Sequence, residues 1–167
     1  MNYAKLNLFD IANGNGIRVT LYISGCQFHC PGCFNRQTWD YTYGKPYTSQ
    51  VKNMILERLN NENFQGLTLL GGDPLWQSDE DLESLIELCD KVHALGKDVW
   101  MWTGYTWEEL QELNDKKLQL ASKCDILVDG RFVLGLKDLS LAWRGSSNQR
   151  VIDVQQSLKK KELVVIE

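Results

Sequence analysis

Period-two and period-3.6 apolar patterns alternate along this 167-residue chain, and that alternation limits the folds open to it. Ile17, Val19, Leu21 and Ile23 interleave with Arg18, Thr20, Tyr22 and Ser24, which is the period of a strand. Val51, Ile55 and Leu59 then fall at helical spacing behind the capping residues Thr48 and Ser49. GLTLL at 66–70 reads as a short buried strand. Ser78 caps a helix whose stripe is Leu82, Leu85, Ile86, Cys89 and Val92, closed by Gly96. DVWMW at 98–102 predicts the next strand, followed by a Thr106–Glu109 capping box. DILVD at 125–129 and QRVID at 149–153 predict later strands, and ELVVI at 162–166 a last one. Such alternation implies an α/β fold with helical crossovers. A complete eight-fold barrel takes about 250 residues. The expectation is therefore a partial (β/α) barrel of about five or six mainly parallel strands. No repeat, low-complexity tract or linker interrupts the pattern, so residues 1–167 are expected to form a single domain.

Composition narrows the function classes. The chain is 43% hydrophobic and 24% charged, which suits a globular protein. No run approaches the roughly 20 apolar residues of a membrane span. The opening MNYAKLNLFD does not resemble a secretory signal. A net charge of −4 without clustered Lys and Arg argues against nucleic acid as a partner. The short run Lys159-Lys160-Lys161, beside Glu162, reads as a solvated helix face. A small-molecule or protein partner is expected instead. The five cysteines are an odd, crowded set, unlike a disulfide framework, and point to the reducing cytoplasm.

In sheets of this class, ligands bind at the carboxyl ends of the strands. The cysteine loop, GGDP at 71–74 and the Thr103-Gly104-Tyr105 turn all follow strand ends and are expected on one rim. Cys26, Cys30 and Cys33 have the spacing C-x3-C-x2-C. Three thiolates can hold three irons of a 4Fe–4S cluster and leave the fourth open to an exchangeable ligand. Zinc with His29 as fourth ligand is the alternative. His29 adjoins Cys30, however, and zinc sites usually come as two separated ligand pairs. Cys89 and Cys124 could complete either metal, but their apolar settings read as those of small hydrophobes.

C-x3-C-x2-C after one strand and GGDP after another resemble the radical S-adenosylmethionine (SAM) superfamily. CPGCFN with Thr38-Trp39 resembles the activases of glycyl-radical enzymes. NGNGIRVTLYISGC, GGDPL, WTGYTWEEL, ILVDGRF and RGSSNQR extend the similarity over nearly the whole chain. It is most similar to the family that activates anaerobic ribonucleoside-triphosphate reductase. Gly32 stands where many of the superfamily carry an aromatic residue, and NGNG stands where the family more often has D-G-x-G.

The resemblance implies a truncated radical SAM core and an oxidoreductase carrying one 4Fe–4S cluster on Cys26, Cys30 and Cys33. SAM would chelate the open iron and be cleaved reductively, and the 5′-deoxyadenosyl radical would take a hydrogen atom from a glycine of the reductase. It places SAM contacts at Gly32, Cys33, Phe34 and Asn35, with the Phe34 ring either near the adenine or an ordinary core aromatic, and at Gly71, Gly72 and Asp73. The glycines would allow close backbone approach, and Asp73 would accept a hydrogen bond from the SAM amino group. A flavodoxin-like protein is implied as electron donor. The sequence leaves open a homodimer or a lasting complex with the reductase, and whether Tyr105, Arg131 and Arg144 face SAM, the partner or neither. The alternatives are radical SAM chemistry on another glycyl-radical enzyme or a small metabolite, and a non-catalytic zinc module. The six tryptophans are expected mostly in the core, with some on a docking face.

Overall fold

The computed structural model describes residues 1–167. Seven strands share one open sheet: β1 (Asn2–Asp10), β2 (Ile17–Ile23), β3 (Lys45–Pro46), β4 (Phe64–Gly71), β5 (Asp98–Trp102), β6 (Ile126–Asp129) and β7 (Arg150–Asp153). Their order is β3-β1-β2-β4-β5-β6-β7, with β3 and β7 at the edges. The pairings β2–β4, β4–β5 and β5–β6 are parallel, whereas β1–β2, β1–β3 and β6–β7 are antiparallel. The α/β class stands, but the sheet is mixed and has more strands than expected. Two additions explain the difference. β1 precedes the first strand expected and returns on β2 as a hairpin, with register shifts at Tyr3/Lys5 and Asn7/Asp10. β7 follows a long connection, residues 130–149, whose one helical piece is the 3-10 turn Leu134–Leu136. Without a crossover helix, that segment brings β7 back antiparallel. The expected strand at 162–166 is only a bridge, Val165 to Ile152, with the Ile166 N–H donating to Val151 O at 2.7 Å.

Five helices follow: α1 (Ser49–Leu59), α2 (Asp79–Ala94), α3 (Trp107–Leu113), α4 (Lys116–Lys123) and α5 (Val154–Lys160). The starts of α1, α2 and α3 are those the sequence marks, whereas α4 and α5, capped by Asp115 and Asp153, were not expected. Thr48 caps α1, and Ser78 caps α2 ahead of Asp79, Glu80 and Asp81, whose charges suit the N-terminal end of a helix dipole. Thr106 and Glu109 form the expected capping box on α3.

All five helices bury their apolar residues in one cluster with Val19, Leu21, Ile23, Leu67, Leu69, Val99, Met101 and Leu127 of the sheet. The alternate strand residues point the other way. Arg18, Thr20, Thr68, Trp100, Val128 and Val151 are buried yet lie outside that cluster. No helix covers this second face. Loops do: Trp143 packs edge-on against Trp100 at 5.3 Å, and its carbonyl accepts the Trp102 indole N–H at 2.7 Å. The sheet is therefore helix-backed on one side and loop-covered on the other.

Candidate metal and cofactor site

Because β2, β4, β5 and β6 run parallel, the segments that follow them emerge on the same rim. The cysteine loop leaves β2, Gly72-Asp73 leaves β4, Thr103-Gly104 leaves β5 and Gly130 to Phe132 leaves β6. They meet around a cavity of about 130 Å³. Cys26, Cys30 and Cys33 line one part of it, and Gly71, Gly72 and Asp73 another. Leu70 and Trp102 face it from the sheet, and Phe132 and Gln149 from the connection between β6 and β7.

The cysteine loop is tied at its base. The Gly25 N–H donates to Thr38 O at 2.7 Å and the Cys26 N–H to Trp39 O at 3.3 Å. Thr38 is buried and gives its hydroxyl to Asn35 O at 2.6 Å, closing the 3-10 turn Arg36–Trp39. Between these ties the chain turns sharply, with His29 at φ 48° and Gly32 at φ 78°. The His29 ring is stacked on Trp39 at 4.3 Å and is absent from the cavity lining. Cys89 and Cys124 are wholly buried in the apolar cluster behind the sheet. None of the three candidate fourth ligands reaches the cavity.

Burial pushes the Cys26 thiol up to about 11, aided by the Asp73 charge and opposed by the N–H groups of Phe28 and His29. Cys30 also rises, chiefly through burial. A metal entering here must displace protons, as it does at any thiol site. All three cysteines are free. No three His, Cys, Asp or Glu side chains gather closely enough to hold a single ion. Three soft donors spread around one cavity fit a cluster, in which each thiolate takes a different iron, better than one tetrahedral centre.

Residues 12–152 match the 4Fe-4S single cluster domain family. A protein of Escherichia coli (strain K12) named anaerobic ribonucleoside-triphosphate reductase-activating protein is 44% identical over 155 residues, covering 90% of this chain and 97% of that one. A protein of the same name from Vibrio cholerae serotype O1 is 40% identical over 153 residues, with coverage of 89% and 96%. Another from Enterobacteria phage T4 is 38% identical over 152 residues, with coverage of 90% and 93%. The chain belongs to the anaerobic ribonucleoside-triphosphate reductase-activating protein family.

Within this activating-protein fold, the expected site residues divide. Cys26, Cys30, Cys33, Gly71, Gly72 and Asp73 converge on the cavity, whereas Gly32, Phe34 and Asn35 do not line it. The Phe34 ring is 58% exposed and packs on Phe132 at 5.1 Å, with the Lys137 ammonium 5.3 Å from its centroid. Asn35 receives Thr38 through its backbone carbonyl. Tyr105 packs between Phe28 and Trp76, at 4.9 and 5.6 Å. Arg131 pairs with Glu109 at 2.8 Å and covers the Phe28 ring at 4.4 Å. Arg144 lies near Glu167 at 3.9 Å, and neither arginine lines the cavity.

The close approach made by Gly71 and Gly72 is to the protein itself. A Cβ on Gly71 would overlap the backbone of Ile23, and one on Gly72 would stand 2.6 Å from Gly25 O. The Gly72 N–H donates to Ile23 O at 2.7 Å and the Asp73 N–H to Gly25 O at 2.9 Å. The glycines thus seat GGDP against the root of the cysteine loop. Asp73 is 1% exposed, and its carboxylate accepts from Thr103 Oγ1, from Gly104 N at 2.8 Å and from Leu75 N at 2.9 Å. Burial still outweighs these donors and pushes the group up to about 6. Asp73 is the joint between the ends of β4 and β5.

Among the residues sequence reasoning missed, Trp102 and Leu70 were accessible, since strand alternation puts them on the face opposite Met101 and Leu69. Phe132 carried a signal through its place in ILVDGRF. Gln149 carried none, because its position depends on the path of residues 130–149.

Proposed function

We propose that this chain activates an anaerobic ribonucleoside-triphosphate reductase by installing a glycyl radical on it, as an oxidoreductase of the radical SAM class. Its sheet is then a truncated radical SAM barrel, its setting the cytoplasm and its reductant a flavodoxin-like protein. The reading rests on the meeting of Cys26, Cys30 and Cys33 with Gly71, Gly72 and Asp73 around one cavity. When bound there, a 4Fe–4S cluster with SAM on its open iron supplies one-electron cleavage of SAM to methionine and a 5′-deoxyadenosyl radical, which removes a hydrogen atom from a glycine Cα.

The chain's own residues supply position and polarity. Cys26, Cys30 and Cys33 would hold the cluster through their thiolates, one iron to each. The Gly72 and Asp73 N–H groups are committed to Ile23 O at the end of β2 and to Gly25 O, whereas the Gly72 carbonyl has no protein donor. That oxygen is the acceptor offered to the SAM ammonium, and the buried Asp73 charge reinforces it from behind. Trp102 and Phe132 present apolar surface that keeps water from the reacting bond.

Anaerobic reconstitution with iron and sulfide should give a brown protein whose EPR signal changes when SAM is added. With a reductase carrying deuterated glycine, deuterium should appear in 5′-deoxyadenosine. Tightly bound zinc with no SAM-dependent signal would overturn the assignment.

A further inference from the structure

Residues 133–140, VLGLKDLS, are exposed one after another, although four of the eight are large and apolar. Leu139 is 81% exposed, Leu134 54%, Leu136 45% and Val133 41%. These side chains are not displayed because the segment lacks structure. The Asp138 N–H donates to Gly145 O at 3.1 Å, the Ser147 N–H to Leu136 O at 2.9 Å and the Val133 N–H to Ser146 Oγ at 3.2 Å. Asp138 accepts both the N–H and the hydroxyl of Ser140. The polar groups are tied within the loop while the leucines face water, the reverse of the ordinary arrangement. Loops longer than about 12–15 residues are usually either functional or disordered; this one is tied by the hydrogen bonds just given, and a contiguous exposed apolar patch marks an interaction site.

The patch has a definite place. A Cβ on Gly32, in the cysteine loop, would stand 2.8 Å from Leu134 Cδ1. Phe34, also exposed, meets Phe132, and Phe132 lines the cavity beside Cys30 and Cys33. The apolar surface therefore runs from the cavity across Phe34 and out along Leu134 to Leu139. Another exposed apolar pair, Phe9 and Ile11, lies at the opposite ends of the strands, where β1 turns into β2.

We propose that Phe34, Val133, Leu134, Leu136 and Leu139 form the surface on which the anaerobic reductase docks, bringing the polypeptide segment that bears its glycine to the cavity. This rests on the function proposed above, which requires a protein loop to reach that cavity. It goes further by naming the face that is covered. Continuity with the cavity selects the reductase over a second copy of this chain, because a copy seated here would obstruct the approach.

The test measures binding of the full, cluster-loaded chain to the full-length reductase from the same organism under anaerobic conditions. The double variant Leu136→Asp/Leu139→Asp should bind the reductase at least about tenfold more weakly, with Ile11→Asp unchanged as control. Iron content and SAM cleavage by dithionite without reductase should stay at the wild-type level in both. If the double variant fails to load iron, Leu139→Asp alone decides, since that side chain is almost free of the fold. Wild-type affinity in the charged variant would overturn the proposal, as would loss of self-association with reductase binding intact. A wild-type chain that fails to bind the reductase would also overturn it. Absent SAM cleavage together with Leu-dependent reductase binding would instead remove the radical chemistry and leave the docking face standing.

Discussion

The Thr103 hydroxyl reaches both oxygens of the Asp73 carboxylate, at 2.9 and 3.0 Å, and both residues are buried. It joins the end of β5 to the turn that follows β4, directly beside the cavity. Thr103→Val keeps the shape and removes the donor, leaving a buried carboxylate one hydrogen bond short. The expected cost is about 2 kcal/mol, read from the denaturant midpoint with an unchanged slope. An unaltered midpoint would mean that the joint carries no energy.

The same carboxylate gives stability a pH dependence. Its folded-state value, about 6, lies above the ordinary 3.8. Near pH 4 the folded protein holds Asp73 protonated at little penalty, and as pH rises through 6 it must carry a buried charge. The contribution is therefore present at acid pH and lost on going to neutral, by on the order of 3 kcal/mol. Asp73→Asn has no such proton. The stability difference between wild type and variant should shift toward the variant between pH 4 and 7, and parallel pH profiles would refute the assignment.

The cysteines should separate into two groups. Cys26→Ala, Cys30→Ala and Cys33→Ala should each abolish stable cluster loading, measured as iron and sulfide per chain. Cys89→Ala and Cys124→Ala should keep full loading and lose about 1 kcal/mol of stability to the cavity left in the core. Iron loss in either core variant would contradict the structure's placement of those thiols behind the sheet.

At the other end of the strands, Arg18 is 0% exposed and pairs with Asp98 at 2.6 Å, where Asp98 retains 31% exposure. Arg18 also donates to Thr68 Oγ1 at 2.8 Å and Leu67 O at 2.9 Å, and lies over the Trp100 ring at 5.4 Å. Removing the carboxylate strands a buried cation, so Asp98→Asn should cost about 3 kcal/mol. Arg18→Met should cost less, because the carboxylate left behind can still reach water. Thermal unfolding of the two variants checks that order.

How much of this was legible depends on whether a feature is local. Thr48, Ser78, Thr106 and Gly96 mark helix ends through chemistry within four residues, and each end falls where those residues put it. The parallel strands β2, β4, β5 and β6 could be read because both faces are covered and their residues are mostly apolar, with single charges at the strand ends or in the second face. β1 was missed because Tyr3 to Phe9 is mostly half-buried at the margin of the sheet, which blurs the alternation. The direction of β7 has no local code, though the missing helical pattern in residues 130–149 was a usable clue. In the site, cysteine spacing singled out Cys26, Cys30 and Cys33, and the structure brings all three to one cavity. The reach of Asp73 toward Thr103 and Gly104 could not be read, since residues thirty positions apart meet only through the pairing of β4 with β5. Nor could the outward turn of Phe34, which Phe132 and Lys137 determine.

Packing every helix against the same side of the sheet splits the molecule into unequal halves. The cluster behind the sheet carries most of the apolar burial, so that half should exchange its amide hydrogens only on global unfolding. The loops over the opposite side, including Trp143 with its left-handed φ of 65°, are anchored by a few hydrogen bonds and ring contacts. They should exchange sooner, as a separate unit. Loosening on that side would open a way to the cavity without unfolding the helix-backed half.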